Sequence, residues 1–146
     1  MTPIKFRSSC PISNTLEIIG DKWSLLIIRD LFIGRSTYSE MLQSPENIAT
    51  NILVDRLKKL IAYGLIGFHK KKGDGKTKYY FLTDAGIDLM PILCDMMNWK
   101  RKHHPDWETH PIAQEMYDNI DLEGCDTLFE KTAELQRLER EDLLLS

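Results

Sequence analysis

Five lysines stand within the eleven residues "KKKGDGKTKYY", at Lys70, Lys71, Lys72, Lys76 and Lys78, around two glycines and just ahead of Tyr79 and Tyr80. The chemistry open to such a cluster is anion binding, because an ammonium on a flexible stem neutralises a phosphate oxygen without needing one fixed geometry. A second set lies upstream in Thr50, Asn51, Arg56 and Lys58. Asn can pair bidentately with an adenine edge and Lys can donate to guanine, so this set fits base edges in a groove. Arg56 flanks an apolar stripe, and a phosphate contact or an ion pair with Asp55 fits it equally.

Other chemistries find fewer parts. Cys10, Cys94 and Cys125 are odd in number, far apart and form no CxxC, so neither a disulfide framework nor a zinc site is expected. "KRKHHPDWETHP" gathers His103, His104 and His110 with Asp106 and Glu108. It lacks an i, i+4 histidine pair on an unbroken helix and holds two prolines, so a solvated linker is expected and no metal or other cofactor is assigned. There is no nucleophile elbow, P-loop, GxGxxG or HExxH, and an enzyme is not expected.

Charge is divided along the chain. The net charge is −3 and the pI near 5.8. Between Thr50 and Leu82, however, Arg56, Lys58, Lys59 and the five hairpin lysines face only Asp55 and Asp74. From Asp106 onward twelve acids face Lys131, Arg137 and Arg140. Local fields of this kind argue for a nucleic-acid partner even where the total charge does not. The plain alternative is that the lysines keep an exposed hairpin soluble. The organisation of the chain decides between the two.

At 146 residues and 42% hydrophobic content, one domain with a real core is expected. No apolar run reaches the ~18 residues of a membrane helix and no secretory leader opens the chain, which points to the cytoplasm. "SNTLEIIGDKW" has Leu16, Ile19 and Trp23 at helical spacing, with Ser13 or Asn14 as caps and Gly20 at the end. "DKWSLLIIRDLFIG" is apolar nearly all round and belongs in the core. "TYSEMLQS" is a short helix capped by Thr37, and "SPEN" is a turn. In "NIATNILVDRLKKLIAYGLI", Leu53, Leu57, Leu60 and Ile61 form one face and Asn51, Asp55, Lys58, Lys59 and Ala62 the other, with Gly64 at the stop. Ala49 brings no capping oxygen, so the cap is expected from Asn47 or Thr50. "LIGFHK" and "KTKYYFLT" then read as a β-hairpin.

Helix, turn, helix and lysine-tipped hairpin together give a mainly α chain with a small β-hairpin wing, a winged helix-turn-helix. The helix over 50–62 would enter a major groove and the wing lysines would hold flanking phosphates. Cys10-Pro11, Gly20-x-Lys22-Trp23, Ser39-Glu40-Met41, Asp55-Arg56-Leu57-x-x-Leu60, Gly64-Leu65 and Tyr80-x-Leu82-Thr83-x-x-Gly86 carry a resemblance. From Cys10 to His103 the chain resembles the HxlR family of bacterial winged-helix transcriptional regulators, relatives of MarR.

The resemblance implies a homodimer held by the first helix and the long helix after the wing. Leu16, Ile19, Leu89, Ile92, Leu93, Met96, Met97 and Trp99 are the interface candidates, with Pro91 expected to kink or break the second helix. A two-fold dimer reads an inverted-repeat operator. Some members of the family respond to oxidants through a cysteine at the position of Cys10, and here Lys5, Arg7 and a nearby helix start would favour the thiolate. A small buried residue at the dimer contact fits Cys10 as well. MarR-like dimers also hold small molecules between their helices, so an oxidant or small-molecule effector is a candidate partner beside double-stranded DNA. Residues 1–105 form the expected DNA-binding and dimerisation domain. Residues 106–146 form an acidic helical extension, expected to pack on that domain away from the wings. A winged helix kept only for protein contacts is the rival function.

Overall fold

The computed structural model describes residues 3–146. Among these, eight helices and one hairpin follow in the order α1 (Pro11–Ile19), α2 (Ser24–Phe32), α3 (Tyr38–Leu42), α4 (Thr50–Ala62), β1 (Ile66–His69), β2 (Tyr79–Leu82), α5 (Asp84–Ile87), α6 (Met90–His103), α7 (Pro111–Glu123) and α8 (Cys125–Leu145). The fold is mainly α with a two-stranded antiparallel sheet, as the periodicities require. None of the described helices is long and apolar enough to cross a membrane.

The core forms where the apolar stripes meet. Ile27, Ile28 and Leu31 of α2 pack against Met41 of α3, Leu53, Leu57 and Leu60 of α4, and Ile66, Tyr80 and Leu82 of the hairpin. Asp21 starts α2: its carboxylate accepts from the amides of Trp23 and Ser24 and from the Ser24 hydroxyl. Thr37 caps α3 by accepting from the Glu40 amide, while the Glu40 carboxylate reaches back to the Ser36 amide. The hairpin pairs Ile66 with Leu82 and Phe68 with Tyr80, which turns Tyr80 and Leu82 into the core.

Two boundaries differ from expectation and a third, at Pro91, follows it. Helix α1 begins at Pro11 with Cys10 at the N-cap, so neither Ser13 nor Asn14 caps it. Proline at the first turn gives up no hydrogen bond and has its φ preset for a helix, and this outweighs a polar cap two residues later. The N-cap of α4 is Ala49, without a side-chain bond; Asn47 instead takes φ 55° in the turn, and Thr50 is already helical. Pro91 marks a break and sits in the first turn of α6, after the short α5 that Thr83 caps.

The acidic stretch after residue 106 contains a separate helix, α7, that its charge conceals. It packs Tyr117 and Ile120 with Met90 and Cys94 of α6 and Leu128 of α8 in a second core. The Tyr117 hydroxyl donates to the Met97 carbonyl at 2.6 Å. The histidine stretch is a largely exposed connection between α6 and α7, with order of its own: His103 ends α6, His104 stacks on Trp107 with ring centroids 3.8 Å apart, and the His110 ring accepts from the Ile112 amide to cap α7. Helix α8 returns across the first core, where Ala133 is buried and Phe129 packs.

Candidate nucleic-acid interface

The outward face of α4 is a stripe of Thr50, Asn51, Val54, Asp55 and Lys58, all exposed. Four-residue steps put Thr50, Val54 and Lys58 on one line, and Asn51 beside it. Val54 does not stand out when only polar groups are sought along the helix. An apolar side chain there can meet a thymine methyl, and its signal is its place opposite the buried leucines. Because Ala49 supplies no oxygen, the first-turn amides of α4 have no side-chain acceptor. An approaching phosphate can satisfy such donors and gains from the helix dipole.

Arg56 is elsewhere. Its Nε donates to Asp21 at 2.8 Å and its Nη1 pairs with Asp55. Lys59 also turns toward Asp21, at 4.0 Å. Of the readings open to Arg56, the ion pair with Asp55 is present, and the further pair to Asp21 joins the start of α2 to α4, which gives Arg56 a positioning role. Burial alone would raise the Asp21 pKa, but the Ser24 hydroxyl, the Arg56 guanidinium and two amides outweigh it and hold the carboxyl at about 2, from 3.8. A folded-state pKa below the unfolded one gives stability that is present above pH 3.8 and lost as pH falls toward 2. After screening, this is worth about 1 kcal/mol. Asp21→Asn should be less stable than wild type near neutrality and should close about 1 kcal/mol of that gap by pH ~2, as read by urea midpoints along a pH series.

The wing is ordered at its tip by Asp74. Its carboxylate accepts from the Thr77 amide and the Tyr79 hydroxyl, and the Thr77 amide in particular holds it below the usual carboxylate range. Lys71 lies over the Tyr79 ring at 4.2 Å and Lys78 over Phe68 at 4.6 Å, so aromatic faces steer two of the five ammonium groups. Lys70, Lys71, Lys72, Lys76 and Lys78 are all exposed. The Tyr80 amide donates to the Ser36 carbonyl at 2.8 Å, which ties the hairpin to the loop before α3.

The interface candidates divide. Leu16, Ile92, Met96 and Trp99 are exposed, with Ile12 beside them at 72% exposure. Ile19 is buried in its own chain's core, Leu89 and Leu93 pack against that core, and Met97 packs against the second one. These four serve the monomer, and helical spacing alone does not separate them from their outward neighbours. Cys10 is exposed at the start of α1, where Arg7 is drawn to Glu17 at 2.6 Å. Cys94 is buried, and burial pushes its thiol up to about 12.

A helix with an open polar stripe, set on a helix-turn-helix and followed by a lysine wing, defines the winged helix-turn-helix fold found in transcriptional regulators. The HxlR-like helix-turn-helix family matches residues 18–108, and the chain belongs to that family. It is 31% identical over 101 residues to the uncharacterized HTH-type transcriptional regulator Rv3095 of Mycobacterium tuberculosis, a match covering 69% of this chain and 63% of that protein's length. The crystal structure of PA1607, described as a candidate transcription factor, superposes with TM-score 0.63 at 37% identity, covering 71% of this chain and 72% of the other. The redox regulator HypR in its oxidized form gives TM-score 0.58 at 27% identity, over 65% of this chain and 98% of the other.

Proposed function

We propose that the protein acts as a homodimer that reads an inverted-repeat DNA operator. Residues Thr50, Asn51, Val54 and Lys58 would address base edges, and the wing lysines would grip phosphates on either side. The observation that carries this reading is the exposed stripe of α4: among the described residues Thr50, Asn51 and Lys58 have no side-chain hydrogen bond or ion pair, while Asp55 is taken up by Arg56, and Arg56 and Lys59 also reach Asp21 behind it. The exposed apolar side chains Ile12, Leu16, Ile92, Met96 and Trp99 support pairing of two chains through α1 and α6. Two copies of α4 would then meet half-sites about 34 Å apart. In this arrangement residues 1–105 do the reading and residues 106–146 brace them within the same domain. A cytoplasmic location follows from that work.

Fluorescence anisotropy tests it, with a labelled duplex from upstream of the protein's own gene against a scrambled duplex of equal length. The native duplex should bind at least ~10³-fold more tightly. Asn51→Ala should remove ~10-fold or more of that preference and leave the scrambled duplex unaffected. Equal binding to both duplexes would favour a protein-interaction role.

A sensing role for Cys10 has support of its own, because Cys10 is the exposed thiol while Cys94 is buried and held protonated. Its kinship with HypR, a redox regulator, points the same way. The same titration repeated after a thiol oxidant reads it: release of the native duplex by wild type but not by Cys10→Ser is expected. Identical release by both would remove the idea.

A further inference from the structure

Charge alone would keep the acidic extension away from the wing, and the fold brings the two together. The Ser146 carbonyl accepts from the Lys72 amide at 3.4 Å. Gln136, Glu139, Arg140 and Leu143 line a cavity of about 340 Å³ together with Lys71 and Tyr79. Their spacing of i, i+3, i+4 and i+7 puts them on one face of α8, and Asp142, three residues beyond Glu139, flanks it.

That face is fixed in place. Arg140 donates to the Leu82 carbonyl at 3.0 Å and to Asp84 at 2.9 Å, and Arg137 also reaches Asp84. Ala133, two turns earlier, is buried in the main core. The helix therefore cannot leave the wing without exposing Ala133 and freeing both arginines. These arginines are committed to Asp84, whereas Glu139 and Asp142 are exposed and have no ion-pair partner among the described residues. Their charge is not neutralised internally. The negative end of the α8 dipole adds to it at the same place.

We propose that the last turns of α8 form an autoinhibitory contact on the wing, in which Glu139 and Asp142 repel the DNA phosphates that Lys71 and Lys72 attract. The inference rests on the DNA-binding reading above. A carboxylate held beside these lysines lies within about one Debye length of any phosphate they contact. One unit charge at ~10 Å from a phosphate changes affinity about twofold in water. The contact acts on the backbone-binding part of the affinity, so it is blind to base sequence.

The test is the double variant Glu139→Gln with Asp142→Asn, titrated with the native and the scrambled duplex. Both side chains are exposed and unpaired, so an unchanged urea midpoint is expected. Binding to both duplexes should tighten ~4-fold at ~50 mM salt, and the gain should vanish by ~300 mM. The control is Asp126→Asn with Glu130→Gln, the same charge change about 20 Å away along the same helix, and it should give no gain. Unchanged or weaker binding by the first variant overturns the inference, as does an equal gain by the control. Failure of the DNA reading looks different. Wild type would then bind native and scrambled duplexes alike, while the gain between variant and wild type would still be measurable on either. Absence of any DNA binding by both proteins removes the two together.

Discussion

Replacing Lys70, Lys71 and Lys72 together by alanine is expected to weaken binding to native and scrambled duplexes alike by ~100-fold at ~0.1 M salt, and to flatten the salt dependence. The three stand at the base of the nine-residue loop between β1 and β2, all exposed. Each lysine that displaces a counterion adds ~0.9 to the slope of log affinity against log salt, so releasing about two phosphates per dimer, one from each chain, accounts for the drop. Fold stability should hold, because none of the three forms an ion pair among the described residues and Asp74 orders the loop tip through Thr77 and Tyr79. The ratio of native to scrambled affinity should hold too, since phosphate contacts position and base contacts specify. A drop on the native duplex alone would mean that the lysines read bases. No drop on either would mean that they serve solubility and that the wing does not touch DNA.

Much of this architecture is legible in the sequence, for a physical reason. The leucines of α4 repeat at helical spacing, Gly64 takes φ 73° after the last turn, and the hairpin alternates Tyr80 and Leu82 inward. Each of these signals is confined to one segment. Thr37 and Thr83 act as caps because a cap needs only the next three residues. What escapes lies between segments. Arg56 stands on the rim of the apolar stripe with Asp55 next to it, but its strongest partner is Asp21, 35 residues away. Nothing in the local pattern of α4 can announce that contact.

The C-terminal part shows the limit most clearly. Charge alone places the acidic extension far from the lysines, on the ground that DNA repels it. Packing overrides that expectation, because Phe129 and Ala133 bury apolar surface and Arg140 finds a free carbonyl at Leu82. Repulsion by DNA plays no part when the chain folds, and the exposed carboxylates are if anything weakly drawn to the lysines, so the apolar contact decides the placement. Helix α7 is hidden for a related reason. Its buried Tyr117 and Ile120 are diluted by acids on the outer face, and the second core they join forms only once α6 and α8 are in place.

Gly86→Ala should cost on the order of 3 kcal/mol in unfolding free energy. A Cβ built on Gly86 falls 2.1 Å from the Leu65 carbonyl oxygen and 3.1 Å from a Leu82 methyl. The carbonyl cannot step aside. It accepts from the Thr83 amide at 3.1 Å, and the Thr83 hydroxyl is in turn engaged with the Gly64 carbonyl and the Gly86 amide. The end of α4, both strands of the wing and the start of α5 meet at this point, so any relief of the clash moves the wing relative to α4. Gly64→Ala is the informative comparison. There φ is 73° and nothing lies within 4 Å of the added carbon, so only backbone strain is incurred, at about 1 kcal/mol. Urea midpoints of the two variants separate the causes. A Gly86→Ala midpoint no lower than that of Gly64→Ala would mean that the Leu65 carbonyl can move and that the junction of wing and helix is softer than its hydrogen bonds imply. The expected order, with Gly86→Ala far below, would place the rigidity of the winged helix-turn-helix in that junction.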